Sequence, residues 1–265
     1  MKSETIKILF LGDIVGKPGR KAVLNLLPQI KKTEMIDFVI ANGENLAAGN
    51  GMTMAKYQEM REGGIDFFTS GNHIWNNEDM VANLDKKSVK VIRPANYPNN
   101  VPGRGVATEK VGNVNLVIAN LQGRVFMKDE IEDPFIIGKE IADRNKDSII
   151  VIDFHAEATS EKNALKHYLS GKISALLGSH THIQTADDQI TGDGTAYITD
   201  AGMCGPIDSV LGVKKEIIIE KFLTQLPQSH KVAKGDSIIN GVVITIDKKT
   251  KKAKDIRRIN QIVKL

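Results

Sequence analysis

The 265-residue chain holds six histidines, and four of them stand in short polar clusters with carboxylates and carboxamides. The clusters are Gly12-Asp13, Asn42-Gly43-Glu44-Asn45, Ser70-Gly71-Asn72-His73, His155 and Gly178-Ser179-His180-Thr181-His182. Carboxylate oxygen, amide oxygen and imidazole nitrogen together suit iron, manganese or zinc and disfavour an all-oxygen magnesium or calcium site. There are more candidate ligands than one tetrahedral ion needs, so two ions bridged by a carboxylate use them economically. Alternate residues of an extended segment point to the same side, which makes His180-Thr181-His182 a candidate ligand pair. The lone Cys204 leaves no Cys-rich structural zinc site. His167 and His230 follow no strand and read as ordinary surface or packing histidines.

Each cluster follows an apolar run. Strands are expected over 5–11, 36–41, 65–69, 89–92, 105–110, 114–119, 149–154, 173–177, 195–199, 238–246 and 255–263, from their Val, Ile and Phe content and Gly or Asn boundaries. Helices are expected over 19–32, 53–62, 76–86, 134–145, 159–169 and 214–224, the first with Pro18 near its start and the fifth with a Thr-Ser-Glu cap. The first half reads β-α-β-α-β, which implies parallel strands. Gly112-Asn113 and the lysine-rich loop near 250 each read as a hairpin turn. Sites in open α/β sheets lie at the carboxyl ends of strands, so these loops should share one rim.

Composition is globular: 41% hydrophobic and 26% charged, which excludes a disordered or collagen-like chain. The net charge of +4 is local. Residues 248–258 carry seven cations against one Asp, a local +6 that leaves −2 for the rest. That run reads as a solvated hairpin tip rather than an RNA or phosphate patch. No apolar run approaches the roughly 20 residues needed to span a bilayer, and the charged start of the chain does not read as a signal peptide. The expectation is a soluble cytoplasmic protein, with no membrane partner, forming one α/β domain over 1–265.

The clusters resemble those of the calcineurin-like metallophosphoesterase superfamily, in the same order across most of the chain. More narrowly, Gly12-Asp13-Ile14-Val15-Gly16-Lys17-Pro18-Gly19-Arg20, Asn42-Gly43-Glu44-Asn45, Gly71-Asn72-His73-Ile74-Trp75 and Thr199-Asp200-Ala201-Gly202-Met203 resemble the bacterial 2′,3′-cyclic-nucleotide 2′-phosphodiesterase branch. Two departures separate the chain from the broad superfamily. Its usual Asp-x-His opening is Asp13-Ile14-Val15, and Glu44 stands at the bridging Asp position.

The resemblance implies a four-layer α-β-β-α sandwich of two mixed sheets flanked by helices. It implies two metal ions, iron first and manganese or zinc as alternatives. Asp13, Glu44, Asn45 and His182 would hold one ion, and Glu44, Asn72, His155 and His180 the other. His73 would be the proton donor. The implied activity is hydrolysis of 2′,3′-cyclic nucleotides to 3′-phosphates by a hydroxide bridging the ions. The partner is then a small phosphodiester, with RNA ends as an extension and a homo-oligomer as a further expectation. Two alternatives remain open: a phosphomonoesterase or nucleotidase, and a regulatory module that holds a nucleotide or RNA without turnover.

Other residues read more simply. Gly12, Gly16 and Gly19 match no phosphate-loop pattern. Lys17 and Arg20 read as solvated cations, Trp75 as packing for the His73 loop, and Cys204 as a small apolar residue. The segment 200–206 reads as a wall of the pocket.

Overall fold

The computed structural model describes residues 4–265. The chain opens with β1 (Thr5–Leu11), β2 (Asp13–Ile14), α1 (Gly16–Glu34), β3 (Phe38–Asn42), α2 (Met54–Glu62) and β4 (Phe67–Thr69). A 3₁₀ turn over Asn72–Asn76 leads into α3 (Glu78–Val81). The second half begins with β5 (Val106–Val111), β6 (Val114–Gln122), α4 (Pro134–Arg144), β7 (Ile149–His155), α5 (Thr159–Leu169) and β8 (Ala175–Ser179). It ends with β9 (Gln189–Ile190), β10 (Ala196–Ile198), β11 (Met203–Pro206), α6 (Lys215–Thr224), β12 (Ser237–Asp247) and β13 (Ala253–Val263).

The strands form two mixed sheets. In the seven-stranded sheet β1, β3 and β4 run parallel, while β12 pairs antiparallel with β1, β11 and β13. In the six-stranded sheet β6, β7, β8 and β10 are parallel and flanked by antiparallel β5 and β9.

Strand periodicity sorts the core into layers. In β1, Ile6, Ile8 and Phe10 face the other sheet and meet Leu116, Ile118, Val151 and Leu177. Leu9 and Leu11 face the opposite way, onto Val23 and Leu27 of α1 and Met60 of α2. In the second sheet Ile150, Ile152 and Phe154 pack outward against Leu165 and Leu169 of α5 and Ile141 of α4. The result is the expected α-β-β-α sandwich of two mixed sheets.

Several expected boundaries differ. The segment 76–86 is not one helix, because the chain first turns at Asn72–Asn76 and then forms only the short α3. The segment 89–92 makes a single bridge, Phe68 to Val91, in place of a strand. The fifth helix has Ala158 before its first turn and no side-chain cap; its early acid, Glu161, accepts instead from the backbone N–H of Arg124 and Val125. Strands β2, β9 and β11 are too short to show a period in sequence. No described helix is long and apolar enough to cross a membrane.

Candidate metal centre

The inward face of each central strand turns polar at its carboxyl end. Following Ile40, Ile118, Val151 and Leu177, the next inward positions are Asn42, Asn120, Asp153 and Ser179, all buried. They hydrogen-bond across the two sheets. Asp153 accepts from Asn42 Nδ2 at 2.9 Å, Thr69 Oγ1 at 2.5 Å and Ser179 Oγ at 2.6 Å. Asn120 accepts from the Ser70 backbone at 3.0 Å, which fixes the start of the Ser70–His73 loop. This polar layer forms the floor of the site.

All eight site candidates stand on that rim. Asp13 opens β2, parallel to Met203 of β11, and its Oδ2 accepts from the His180 backbone at 3.1 Å. Glu44 and Asn45 follow β3, Asn72 and His73 follow β4, His155 ends β7, and His180 and His182 follow β8. Glu44, His155 and His180 offer ligand atoms within 4.8 Å of one another. His182 Nε2 lies 3.7 Å from Asp13 Oδ1 and 3.1 Å from Asn45 Nδ2. His73 Nδ1 lies 3.0 Å from Glu44 Oε1 and 3.1 Å from Asn45 Oδ1.

Backbone shape brings these groups close. His180 and His182 do not converge by strand alternation as expected. Both adopt left-handed backbone, φ 99° and 65°, at a cost of about 1–3 kcal/mol each. Asp200 holds this turn, since its carboxylate accepts from Thr181 N at 3.0 Å, Gly202 N at 2.8 Å and the buried Lys162 Nζ at 2.8 Å. Gly71 is required beside the cluster, because a Cβ there would lie 1.7 Å from Glu44 Oε2.

The tautomers follow from the hydrogen bonds. Ser179 Oγ donates its one proton to Asp153, so it accepts from His155 Nδ1 at 2.9 Å. His180 Nε2 faces the Glu157 carboxylate at 3.1 Å, and His182 Nδ1 donates to the Leu211 carbonyl at 2.9 Å. Each imidazole thus uses one N–H outward and turns the bare nitrogen inward, the arrangement found around metal-bound histidines. Inside, lone pairs face one another. His155 Nε2 lies 2.9 Å from Glu44 Oε2 and 3.0 Å from His180 Nδ1. Asp13 Oδ1, Glu44 Oε2 and Asn72 Oδ1 are buried with no hydrogen-bond donor. Such a set of acceptors is repulsive by itself and suits cations.

Charge states agree with that strain. Burial pushes the Asp13, Glu44 and Asp153 carboxyls up to about 7. Burial also pushes His155 down to about 4 and His180 down to about 3, so both imidazoles are neutral near pH 7. Neutral imidazole is the ligand form, and each carboxylate needs a positive neighbour to ionise comfortably.

Arg20, His230 and the segment 200–206 depart from their sequence readings, whereas Trp75 and Cys204 match theirs. Arg20 is buried rather than solvated, and Nη1 donates to the Leu46 carbonyl at 2.5 Å, fixing the turn after Glu44. His230 reaches the same cavity as His73, His180 and His182. The segment 200–206 does not line that cavity; Asp200 supports the histidine turn and Met203 pairs with Asp13. Trp75 packs edge-on against Tyr97 at 5.2 Å. Cys204 is buried, its thiol pushed up to about 12, and its Sγ donates to the Asn240 carbonyl at 3.3 Å. Sequence reasoning missed Glu157 and the Asn42–Asp153–Ser179 floor. The signal for the floor was present, in polar residues at the last inward position of otherwise apolar strands.

Two mixed sheets flanked by helices, with the polar loops on one rim, match the metallophosphoesterase fold. A solved structure of a phosphatase from Mycoplasma pneumoniae superposes with a TM-score of 0.93 at 36% identity, covering 98% of this chain and 94% of that one. A hypothetical protein from Thermus thermophilus gives 0.91 at 38% identity, covering 97% and 99%. The sequence model described as YmdB-like protein matches residues 9–259. A Bacillus subtilis relative, named 2′,3′-cyclic-nucleotide 2′-phosphodiesterase, is 46% identical over 256 residues, 96% of each chain. The chain belongs to the YmdB-like family.

Proposed function

We propose that the protein is a metal-dependent phosphodiesterase that opens 2′,3′-cyclic nucleotides to 3′-phosphates. The observation that carries this reading is the set of inward-facing acceptors at Asp13, Glu44, Asn72, His155 and His180, which bound cations would reconcile. The sequence likeness to the Bacillus subtilis relative, named 2′,3′-cyclic-nucleotide 2′-phosphodiesterase, supports the substrate class.

Asp13, Glu44, Asn45 and His182 would hold one ion, and Glu44, Asn72, His155 and His180 a second, with Glu44 shared. Iron fits the mixed carboxylate and imidazole donors, with manganese or zinc as alternatives. Such ions supply a nucleophile at neutral pH and neutralise charge on the phosphoryl oxygens. The chain's own groups do the rest. In the reaction a water oxygen joins phosphorus, the P–O2′ bond breaks, and the 2′-oxygen takes a proton. His73 lines the cavity with Nδ1 turned to Glu44 and Asn45, which leaves Nε2 to deliver that proton. The cavity of about 370 Å³ has Val15, Leu211, Val213 and Val232 on its wall, an apolar side for a nucleoside.

The test is a product assay. Metal-loaded protein is expected to convert uridine 2′,3′-cyclic monophosphate to the 3′-phosphate and to act far more slowly on the matching monoester. A faster monoester reaction would make it a phosphomonoesterase. Tight binding without product would make it a regulatory module.

A further inference from the structure

A second hollow adjoins the cavity just described. It measures about 620 Å³, and Ala48, His230 and Val232 belong to the walls of both. Lys17, Lys21, Lys231 and Lys234 line it, and no Asp or Glu does. All four lysines are exposed, and among the described residues none forms an ion pair. Lys17 and Lys21 lie one turn apart at the start of α1, whose first turn has no acidic residue and whose N-terminus has no side-chain cap. The helix dipole therefore adds positive potential to that of the lysines. The four cations come from two distant stretches of chain, which meet beside the candidate metal centre.

This arrangement has no use for a free cyclic mononucleotide. Its single phosphate belongs among the metal ligands, and no second anion remains for the lysines. A substrate that continues past the scissile phosphate supplies one. We propose that the physiological substrate class is the oligoribonucleotide ending in a 2′,3′-cyclic phosphate, with its end in the metal cavity and its preceding backbone phosphates in the lysine hollow. Pro18, Val232 and Ala233 give the hollow an apolar side against which a ribose or base can lie. His230, on the shared wall, would mark the passage between the terminal nucleotide and the next phosphate. The proposal rests on the diesterase reading above and extends it to a longer substrate.

The basic hairpin is not a rival site. Its turn follows Asp247, which pairs with Thr5 at the amino end of β1, whereas the metal centre lies beyond the carboxyl end of that strand.

The experiment compares two probes, uridine 2′,3′-cyclic monophosphate and a short oligouridylate with the same cyclic end. It uses the wild type, a Lys17→Gln/Lys21→Gln/Lys231→Gln/Lys234→Gln variant and a Lys248→Gln/Lys249→Gln control. Binding of the 3′-phosphate product oligomer is followed in parallel by fluorescence anisotropy. KM for the oligomer is expected to lie about tenfold below that for the mononucleotide. Two neutralised phosphates predict about a sevenfold loss of oligomer affinity between 50 and 200 mM salt, from a slope of about −0.7 per phosphate. The quadruple variant should lose both effects and keep its mononucleotide kinetics, and the control should keep everything. Equal KM values, or an oligomer preference untouched by the four substitutions, would overturn the inference while leaving the diesterase reading intact. Turnover of neither probe would remove that reading and this one with it.

Discussion

The two ends of the first sheet treat charge in opposite ways. The 248–258 segment, which carries the densest charge in the sequence, begins at the amino end of β1. There Lys251 and Lys254 meet Asp147 and Asp247, and farther along β13, level with Leu9 and Phe10, Arg257 and Arg258 meet Glu34 and Asp188, mostly in contact with water. Exposed pairs of this kind contribute only about 0–1 kcal/mol each. At the carboxyl end Asp13 and Glu44 are buried, and among the described residues neither forms an ion pair with a lysine or arginine. Asp13 and Glu44 each keep an oxygen without a donor. Density of charge in the sequence therefore points away from the site, and lack of compensation in the fold points to it. A buried acceptor set that the chain itself leaves unsatisfied is what a functional centre looks like physically.

The contrast can be broken by substitution, most severely at His73, the proposed proton donor. His73→Ala should keep metal content and lower kcat by about 10²–10⁴-fold on a cyclic nucleotide, whose alkoxide leaves poorly. An ester with an activated phenolate leaving group should lose much less. Equal losses on both esters would remove His73 from that role. Next in size is Glu157, which faces His180 Nε2 at 3.1 Å. Glu157→Ala should weaken metal affinity by about 10–100-fold, as loss of a histidine-orienting partner does, and an unchanged dissociation constant would show that His180 does not need it.

A smaller effect, of opposite sign, concerns stability. The Asp13 carboxyl titrates at about 7 in the fold because burial penalises its charge, against about 4 in an unfolded chain. In metal-free protein this group costs stability above pH 7, and the cost fades as pH falls towards 4. Asp13→Asn should therefore raise the metal-free Tm at pH 8 by about 2–4 °C, on the order of 1 kcal/mol, and leave it unchanged at pH 4. Thermal melts at both pH values check this; a lower Tm at pH 8 would contradict it. The hairpin gives the smallest effect. Lys254→Gln/Arg258→Gln should change stability by less than about 0.5 kcal/mol and leave turnover alone.

The contrast also explains what the sequence could and could not reveal. Strand ends followed by Asp13, Glu44-Asn45, Asn72-His73, His155 and His180-x-His182 were readable, because apolar runs mark strands and parallel strands share a rim. The layered fold was readable for the same reason, together with the family resemblance. Glu157 was not, since a lone exposed carboxylate after a strand has no distinguishing spacing. The Asp200–Lys162 pair joins residues 38 apart, and the lysine hollow joins α1 to residues 231–234. Both depend on which distant segments the sheet order makes neighbours. Arg20 was misread as solvated because only the fold supplies the Leu46 carbonyl that it meets.

The most direct test is calorimetric titration of chelator-stripped protein at pH 8, in wild type and Glu44→Gln. Saturation at two ions per wild-type chain, falling to one or none when Glu44, the carboxylate proposed to be shared, is replaced, is the expected result. Absence of saturable binding in the wild type, or undiminished binding in the variant, would contradict it.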